Sequence, residues 1–267
     1  MSGRVWFITG TSRGFGKIWA RAALARGDRV AATARDVASL ADLVTEFSDA
    51  VLPLRLDVSD KQQVTEAVAT AREAFGSIDV VVNNAGYGLF GPVEDVTEEQ
   101  ARAQLDTNFF GTLWVTQAVL PILREQGSGH LLQVSSIAGI ASWPMLGLYH
   151  ASKWAVEGLT DALAQEVAPF GIHVTLLEPG PYRTDWRGSS AVWAEAAPPY
   201  AERAHAPSAP GDPEATAGPL MELVDAERPP LRAFLGASAL EIARAVYEDR
   251  LHTWELWDPV AKAAQGN

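Results

Sequence analysis

Short apolar runs alternate with longer helix-patterned stretches over the first two-thirds of the chain. The runs are Val5–Thr9, Arg29–Thr33, Val51–Asp57, Asp79–Asn83, His130–Ser135 and Ile172–Glu178. Each is continuously apolar rather than alternating, the pattern of strands covered on both faces. Helix signals lie between them. Ser59 followed by Gln62, and Thr97 followed by Gln100, have capping-box spacing, while Gly27 and Gly76 stand where helices should stop. Strands that alternate with helices predict parallel pairing through right-handed crossovers. A further strand, Leu231–Leu235, and a last helix from Ser238, with Glu241 three residues on, complete the pattern. The expected fold is α/β: three layers around a mostly parallel seven-stranded sheet, in one domain spanning 1–267.

Composition narrows the setting. The chain of 267 residues has no cysteine, so disulfides and thiolate–metal sites are excluded. The five histidines (His130, His150, His173, His205, His252) lack metal-ligand spacing, and no metal is expected. A formal net charge of -12 disfavours nucleic acid and anionic membranes as partners. The N-terminus has no basic segment leading into an apolar run, and no stretch of ~18 apolar residues occurs. The expectation is a soluble cytoplasmic protein.

The strongest chemical signal is Thr9-Gly10-Thr11-Ser12-Arg13-Gly14-Phe15-Gly16, between the first strand and the first helix. Glycines there let the backbone turn sharply and approach a pyrophosphate at a helix N-terminus. Together with the strand–helix pattern, this makes the domain Rossmann-type and a dinucleotide its expected ligand. The second strand continues through Ala34 into Arg35, where NAD-selective folds end in an acidic residue. A guanidinium there suits a 2′-phosphate, and Arg13 is a second cation in reach, so the expected cofactor is NADP(H). The competing reading leaves Arg35 solvated and gives the selection to Asp36.

Tyr149 and Lys153 lie four residues apart in the helical segment Tyr149–Ala168, one turn apart on one face. A free tyrosine, with a pKa of ~10, is a poor proton carrier at neutral pH, and a nearby ammonium is expected to lower it. Ser136 ends the fifth strand, thirteen residues earlier, where ligands bind in open α/β sheets. Asn108 sits inside a helical pattern that asparagine does not favour, which points to a polar role.

The TGxxxGxG spacing, Asn83-Asn84-Ala85-Gly86, Asn108, Ser136, Tyr149-x-x-x-Lys153, and Pro179-Gly180 followed by Thr184 occur in this order. In that combination the chain resembles a short-chain dehydrogenase/reductase from about Val5 to Thr184. The resemblance implies a carbonyl reductase, or an oxidant of the matching alcohol. In it Tyr149 acts as acid–base, Ser136 holds the substrate oxygen, Lys153 tunes Tyr149 and binds the nicotinamide ribose, and Asn108 helps hold a water. It implies cofactor contacts from Gly10, Ser12, Arg13, Gly14, Phe15, Gly16, Arg35, Asn84, Ala85, Gly86, Pro179 and Gly180. Asp57 and Val58 would lie at the adenine, and Tyr182 and Thr184 at the carboxamide end. It also implies a homodimer or homotetramer, built on the long helices near Glu98–Arg124 and Tyr149–Ala168.

From about Asp185 to Pro230 the chain turns rich in Pro and Ala and carries Trp186, Trp193 and Tyr200. Asp212-Pro213 reads there as a helix N-cap followed by proline at the first helical position. This segment, 185–230, is expected to be a lid inserted within the domain. Residues 84–94 resemble a hydroxysteroid-dehydrogenase-like branch of the family. With Trp143, Leu146, Trp186 and Trp193 expected at the pocket mouth, the substrate would be a bulky apolar or aromatic carbonyl. The nine tryptophans are expected mostly in core or pocket, and His150 at a surface or interface. The main alternative is a non-catalytic NADP(H)-sensing protein, disfavoured because Tyr149 and Lys153 are both present.

Overall fold

The computed structural model describes residues 3–195, 197, 200 and 210–266. Seven strands form one wholly parallel sheet: β1 (Val5–Ile8), β2 (Arg29–Ala34), β3 (Val51–Arg55), β4 (Val80–Asn83), β6 (Gly129–Val134), β7 (Ile172–Pro179) and β9 (Arg232–Leu235). Their order is β3-β2-β1-β4-β6-β7-β9, so the chain winds outward both ways from β1 and β4. Side chains of successive strand residues point to opposite faces, and two cores result. Trp6, Ile8, Val30, Ala32, Val80 and Val82 pack on one face. Phe7, Ala31, Val81 and Leu131 pack on the other.

Helices cover both cores: α1 (Gly14–Ala25), α2 (Ala41–Phe47), α3 (Lys61–Phe75), α4 (Glu98–Leu105), α5 (Gly111–Gln126), α6 (Gly147–Val167) and α7 (Ala217–Asp225). The Thr97–Gln100 capping box is present in both directions, at 3.2 and 3.1 Å. The Ser59–Gln62 box is not. Asp60 caps α3 instead, accepting from the Gln62 and Gln63 backbone, while the Ser59 hydroxyl donates to Asp57. A carboxylate one residue on takes both free N–H groups, so the serine is not needed. Gly76 closes α3 in the left-handed region, at φ 81°.

The long helix expected near Glu98–Arg124 follows one path but changes winding, with a π turn over Asp106–Phe110 between α4 and α5. Asp212 caps a 3-10 turn at Pro213–Thr216 that runs into α7. Of the expected lid, residues 196, 198–199 and 201–209 lie outside the described residues, and His205 with them. The described part adds strand β8 (Val192–Trp193), which pairs in parallel with β5 (Leu89–Phe90). A final helix, α8 (Ala239–Ala264), starts after Ser238, whose side chain makes no cap. Among the described residues no helix is long and apolar enough to cross a membrane.

Candidate active site

The candidate site residues gather around the C-terminal ends of β1, β4, β6 and β7, because parallel strands all deliver their loops to one edge. At β1 the chain turns with Gly10 at φ 71° and Gly14 at φ 56°. A Cβ on Gly16 would lie 2.3 Å from the Gly10 carbonyl oxygen, so only glycine lets α1 start this close to the turn. Asn84 holds the turn from outside, its Nδ2 donating to the carbonyls of Thr9 (2.8 Å) and Gly10 (3.1 Å). Thr9 Oγ1 accepts from the backbone of Asn84 and Ala85, both at 2.9 Å. The tips of β1 and β4 are thus locked together, with Gly10 backbone against Ala85.

At the tip of β2, Asp36 accepts from the Ala38 backbone at 3.0 Å and caps the next turn. Its carboxylate is engaged locally. Arg35 is exposed and has no ion-pair partner among the described residues. Arg13 donates to Ser189 Oγ at 2.8 Å, which ties the glycine turn to the start of the expected lid. Val58 is buried against Gly111, and Asp57 accepts from Ser59. Thr184 lies beside Gly14 and caps the turn Asp185–Arg187. The Tyr182 ring packs edge-on to Phe15 at 5.2 Å rather than facing open space.

Tyr149 and Lys153 are both buried on α6, as their spacing demands. The Lys153 ammonium donates to the Val134 carbonyl at 2.7 Å and sits 5.8 Å from the Tyr149 ring centre. The expected lowering of the tyrosine is not what this arrangement produces. Burial pushes the Tyr149 hydroxyl up to about 12, against the opposing effect of a hydrogen bond with Ser136. Burial also lowers Lys153 to about 8, with Glu157 opposing. Desolvation outweighs the Ser136 hydrogen bond at Tyr149 and the Glu157 charge at Lys153. Ser136 donates to the Pro179 carbonyl at 3.3 Å and caps the turn Ile137–Gly139. The tips of β6 and β7 therefore meet at this serine. Asn108 sits in the π turn, a winding common at functional sites. Its Nδ2 donates to the Tyr87 carbonyl (3.0 Å) and Ser152 Oγ (3.1 Å), and its Oδ1 accepts from the Tyr87 backbone.

Three expectations change here. His150 is buried, not at a surface: it bridges the Ala138 carbonyl and the Trp143 backbone N–H, each at 2.9 Å. Donating at Nδ1 and accepting at Nε2 requires a neutral ring, and burial accordingly depresses its pKa. Trp143 packs with Ile137, Ile140 and Ala239 under the start of α8, a position set by this histidine. Several tryptophans are neither core nor pocket, since Trp154, Trp254 and Trp257 are exposed.

Trp186 does reach the site, its ring 5.0 Å from Tyr149. Phe90 stands edge-on to Trp186 at 4.9 Å and stacks on Trp193 at 4.4 Å. Leu146 adjoins through its bridge to Gly91. Phe90, and the Arg187 guanidinium 5.6 Å over its ring, carry no sequence signal of their own. Glu157 did carry one, continuing the four-residue series from Tyr149 and Lys153. It meets Arg232 at 2.8 Å beside Glu178, which is wholly buried. Burial, with repulsion from Glu157, pushes Glu178 up to about 8.

The short chain dehydrogenase family's sequence profile matches residues 4–195. An oxidoreductase of Botryotinia fuckeliana, BOA17, is 44% identical over 271 residues, covering 98% of this chain and 99% of that protein. A 3-ketodihydrosphingosine reductase of Bacteroides thetaiotaomicron is 41% identical over 184 residues, 69% of this chain and 66% of its own. Among solved structures, a short-chain dehydrogenase from Streptomyces avermitilis matches with a TM-score of 0.93 at 38% identity, covering 98% and 99% of the two chains. One from Burkholderia cenocepacia, in complex with NADP, matches at 0.79 and 27%, covering 95% and 97%. The chain belongs to the short-chain dehydrogenase family.

Proposed function

We propose that this protein is an NADPH-dependent oxidoreductase that reduces a ketone or aldehyde to an alcohol, or runs the reverse. The observation that carries the reading is the meeting of Tyr149, Ser136 and Lys153 at the sheet edge, beside Gly86, which follows the Asn84–Ala85 clamp on the glycine turn. The residues present fit a dinucleotide. Gly10 and Gly16 leave backbone where a Cβ would intrude, Arg35 has no ion-pair partner among the described residues, and Asp36 is occupied with capping. The turn Gly10, Ser12, Arg13, Gly14, Phe15, Gly16 would hold the pyrophosphate, Arg35 the 2′-phosphate, and Asp57 and Val58 the adenine. Asn84, Ala85, Gly86, Pro179, Gly180, Tyr182 and Thr184 would line the rest of the cleft. NADP-bound relatives support this choice of nucleotide.

The bound nucleotide would supply the hydride. Tyr149, kept protonated by burial, donates its proton to the developing alkoxide, and Ser136 positions that oxygen. Lys153 contributes positive charge beside Tyr149 and a donor for the nicotinamide ribose. Asn108 clamps the Tyr87 backbone and Ser152 behind them. Phe90, Trp186 and Trp193 form an aromatic wall suited to a bulky apolar or aromatic carbonyl. The keto reduction named for the Bacteroides relative is chemistry of the same class. The test is NADPH consumption against a panel of ketones and aldehydes, repeated with NADH and with Tyr149→Phe. Turnover that prefers NADPH and is lost in the variant supports the reading. Tight NADPH binding with no turnover on any carbonyl would move it to a nucleotide sensor.

A further inference from the structure

We propose that Glu157 is a positioning residue that keeps Lys153 an ammonium ion, and that Glu178 and Arg232 keep Glu157 ionised. The inference rests on the catalytic reading of Tyr149 and Lys153, and it adds what sustains the charge behind them. Tyr149, Lys153 and Glu157 follow one another at four-residue steps along α6, and all three are buried. Each step is about one helical turn, so the three share a face. The hydrogen-bond acceptor of Lys153 is the neutral Val134 carbonyl, at 2.7 Å. Burial works against the lysine's charge, and Glu157 is the charged group that works for it. A buried ammonium deprived of its nearby anion gives up its proton more readily.

Glu157 can serve only while it is itself ionised. From β9, Arg232 donates to Glu157 Oε2 at 2.8 Å and to half-exposed Asp161 at 2.9 Å. From β7, Glu178 comes within 3.7 Å of the same guanidinium, with 0% side-chain exposure against 10% for Glu157. Both Glu178 oxygens are buried, and neither accepts a hydrogen bond from a described residue. An ionised carboxylate would stand bare there. A protonated Glu178 gains a partner instead, by donating to Glu157 beside it. The proton belongs on Glu178 because Arg232 stands closer to Glu157 and Lys153 is one turn from it. Burial raises both carboxyls, Glu178 up to about 8; at Glu157 the Ser135 hydroxyl, Arg232 and Lys153 oppose the rise, while Asp161 adds to it. With that proton in place, Lys153 and Arg232 balance Glu157 and Asp161, and the cluster has no net charge.

The turn after Ser136 closes directly over this pair. A Cβ on Gly139 would lie 2.6 Å from Ser135 Oγ and 2.9 Å from Glu157 Oε1. A side chain at 139 would displace the hydroxyl or the carboxylate. The turn that Ser136 caps and the counter-charge of Lys153 therefore share one close contact.

The first test reads Lys153 without any substrate. Nitrogen NMR of the lysine side chains over a pH series follows each ammonium, and Lys153 is the buried one among Lys17, Lys61, Lys153 and Lys262. Glu157→Gln should lower the Lys153 midpoint by about one pH unit, the low end of what one neighbouring charge does. Glu157→Asp, which keeps the charge, should recover most of that shift. The alkaline limb of NADPH-dependent carbonyl reduction should move in the same order. The second test is the infrared band of a protonated carboxyl at about pH 7, which should be lost in Glu178→Gln. An unmoved midpoint in Glu157→Gln would overturn the proposal even if kcat fell, because Glu157 would then only support the fold. A band that persists in Glu178→Gln would overturn it too, and that measurement does not depend on the Glu157 variant folding. A midpoint that moves while the limb stays put upholds the hold on Lys153 and counts against the catalytic reading instead.

Discussion

The two longest helices, α6 and α8, have opposite relations to the rest of the molecule. α6 buries nine residues, among them Tyr149, His150, Ser152, Lys153, Glu157 and Thr160. α8 buries two alanines and leaves its tryptophans in solvent. Usual expectation has polar groups outside and apolar groups inside. α6 breaks the first half of that rule. Tyr149, Lys153, Ser152 and His150 find partners in the surrounding loops and strand tips, Glu157 pairs with Arg232, and Thr160 Oγ1 has no partner among the described residues, so desolvation is only partly offset and pKa values move. α8 breaks the second half, since nothing within the described chain covers its outer turns. A helix that hides polarity holds the candidate chemistry, while one that displays apolar surface is set by what it fails to bury.

The contrast can be broken at several points. Tyr149→Phe removes the proton donor and is expected to lower kcat by ~10²–10⁴, while fluorescence titration with NADPH stays near wild type. An unchanged kcat would empty α6 of its assigned role. Leu163→Ala opens a hole in the core beneath the same helix, where Leu163 is buried. It should cost about 2–5 kcal/mol in urea unfolding. A value under 1 kcal/mol would mean that α6 is not the rigid platform described above.

Glu178 gives a pH test. Its folded-state pKa of about 8 lies above the ordinary 4.5, mainly through burial, then through Glu157, with Arg232 opposing. Between those values the unfolded chain ionises Glu178 while the folded chain keeps the proton. Its contribution is therefore fully present at low pH and is lost as pH rises toward 8. Glu178→Gln should flatten that slope, so thermal melts of variant and wild type converge near pH 5, and the variant melts higher at pH 8. The reverse order at pH 8 would show that the Arg232 ion pair dominates.

Trp254→Ala should have the smallest effect. Trp254 is exposed, and an exposed side chain is worth within about 0.5 kcal/mol. A loss of several kcal/mol would show that α8 folds back on its own chain.

Much was legible in advance because it depends on local pattern. Parallel strands, the glycine turn and the Tyr149–Lys153 spacing need only chain geometry: apolar runs for strands buried on both faces, missing Cβ atoms for a tight turn, and 3.6 residues per helical turn. Local competition misled in small ways. Asp60 capped α3 because a carboxylate stood one residue past Ser59.

Long-range encounters were hidden from sequence. Nothing near Phe90 announces that Trp186, far along the chain, will lie against it. His150 looks like an exposed helical residue until the loop 138–143 folds over it. The pKa of Tyr149 was misjudged for the same reason. Spacing puts an ammonium one turn away, but only the packed structure reveals how far both groups are stripped of water. The sequence by itself determined the strand and helix order, the nucleotide turn and the pair of residues offered for chemistry, because these follow from local sterics and periodicity. Tertiary structure alone decided the electrostatics of that pair, the aromatic wall beside it and the unsupported reach of α8, because burial belongs to the assembled chain.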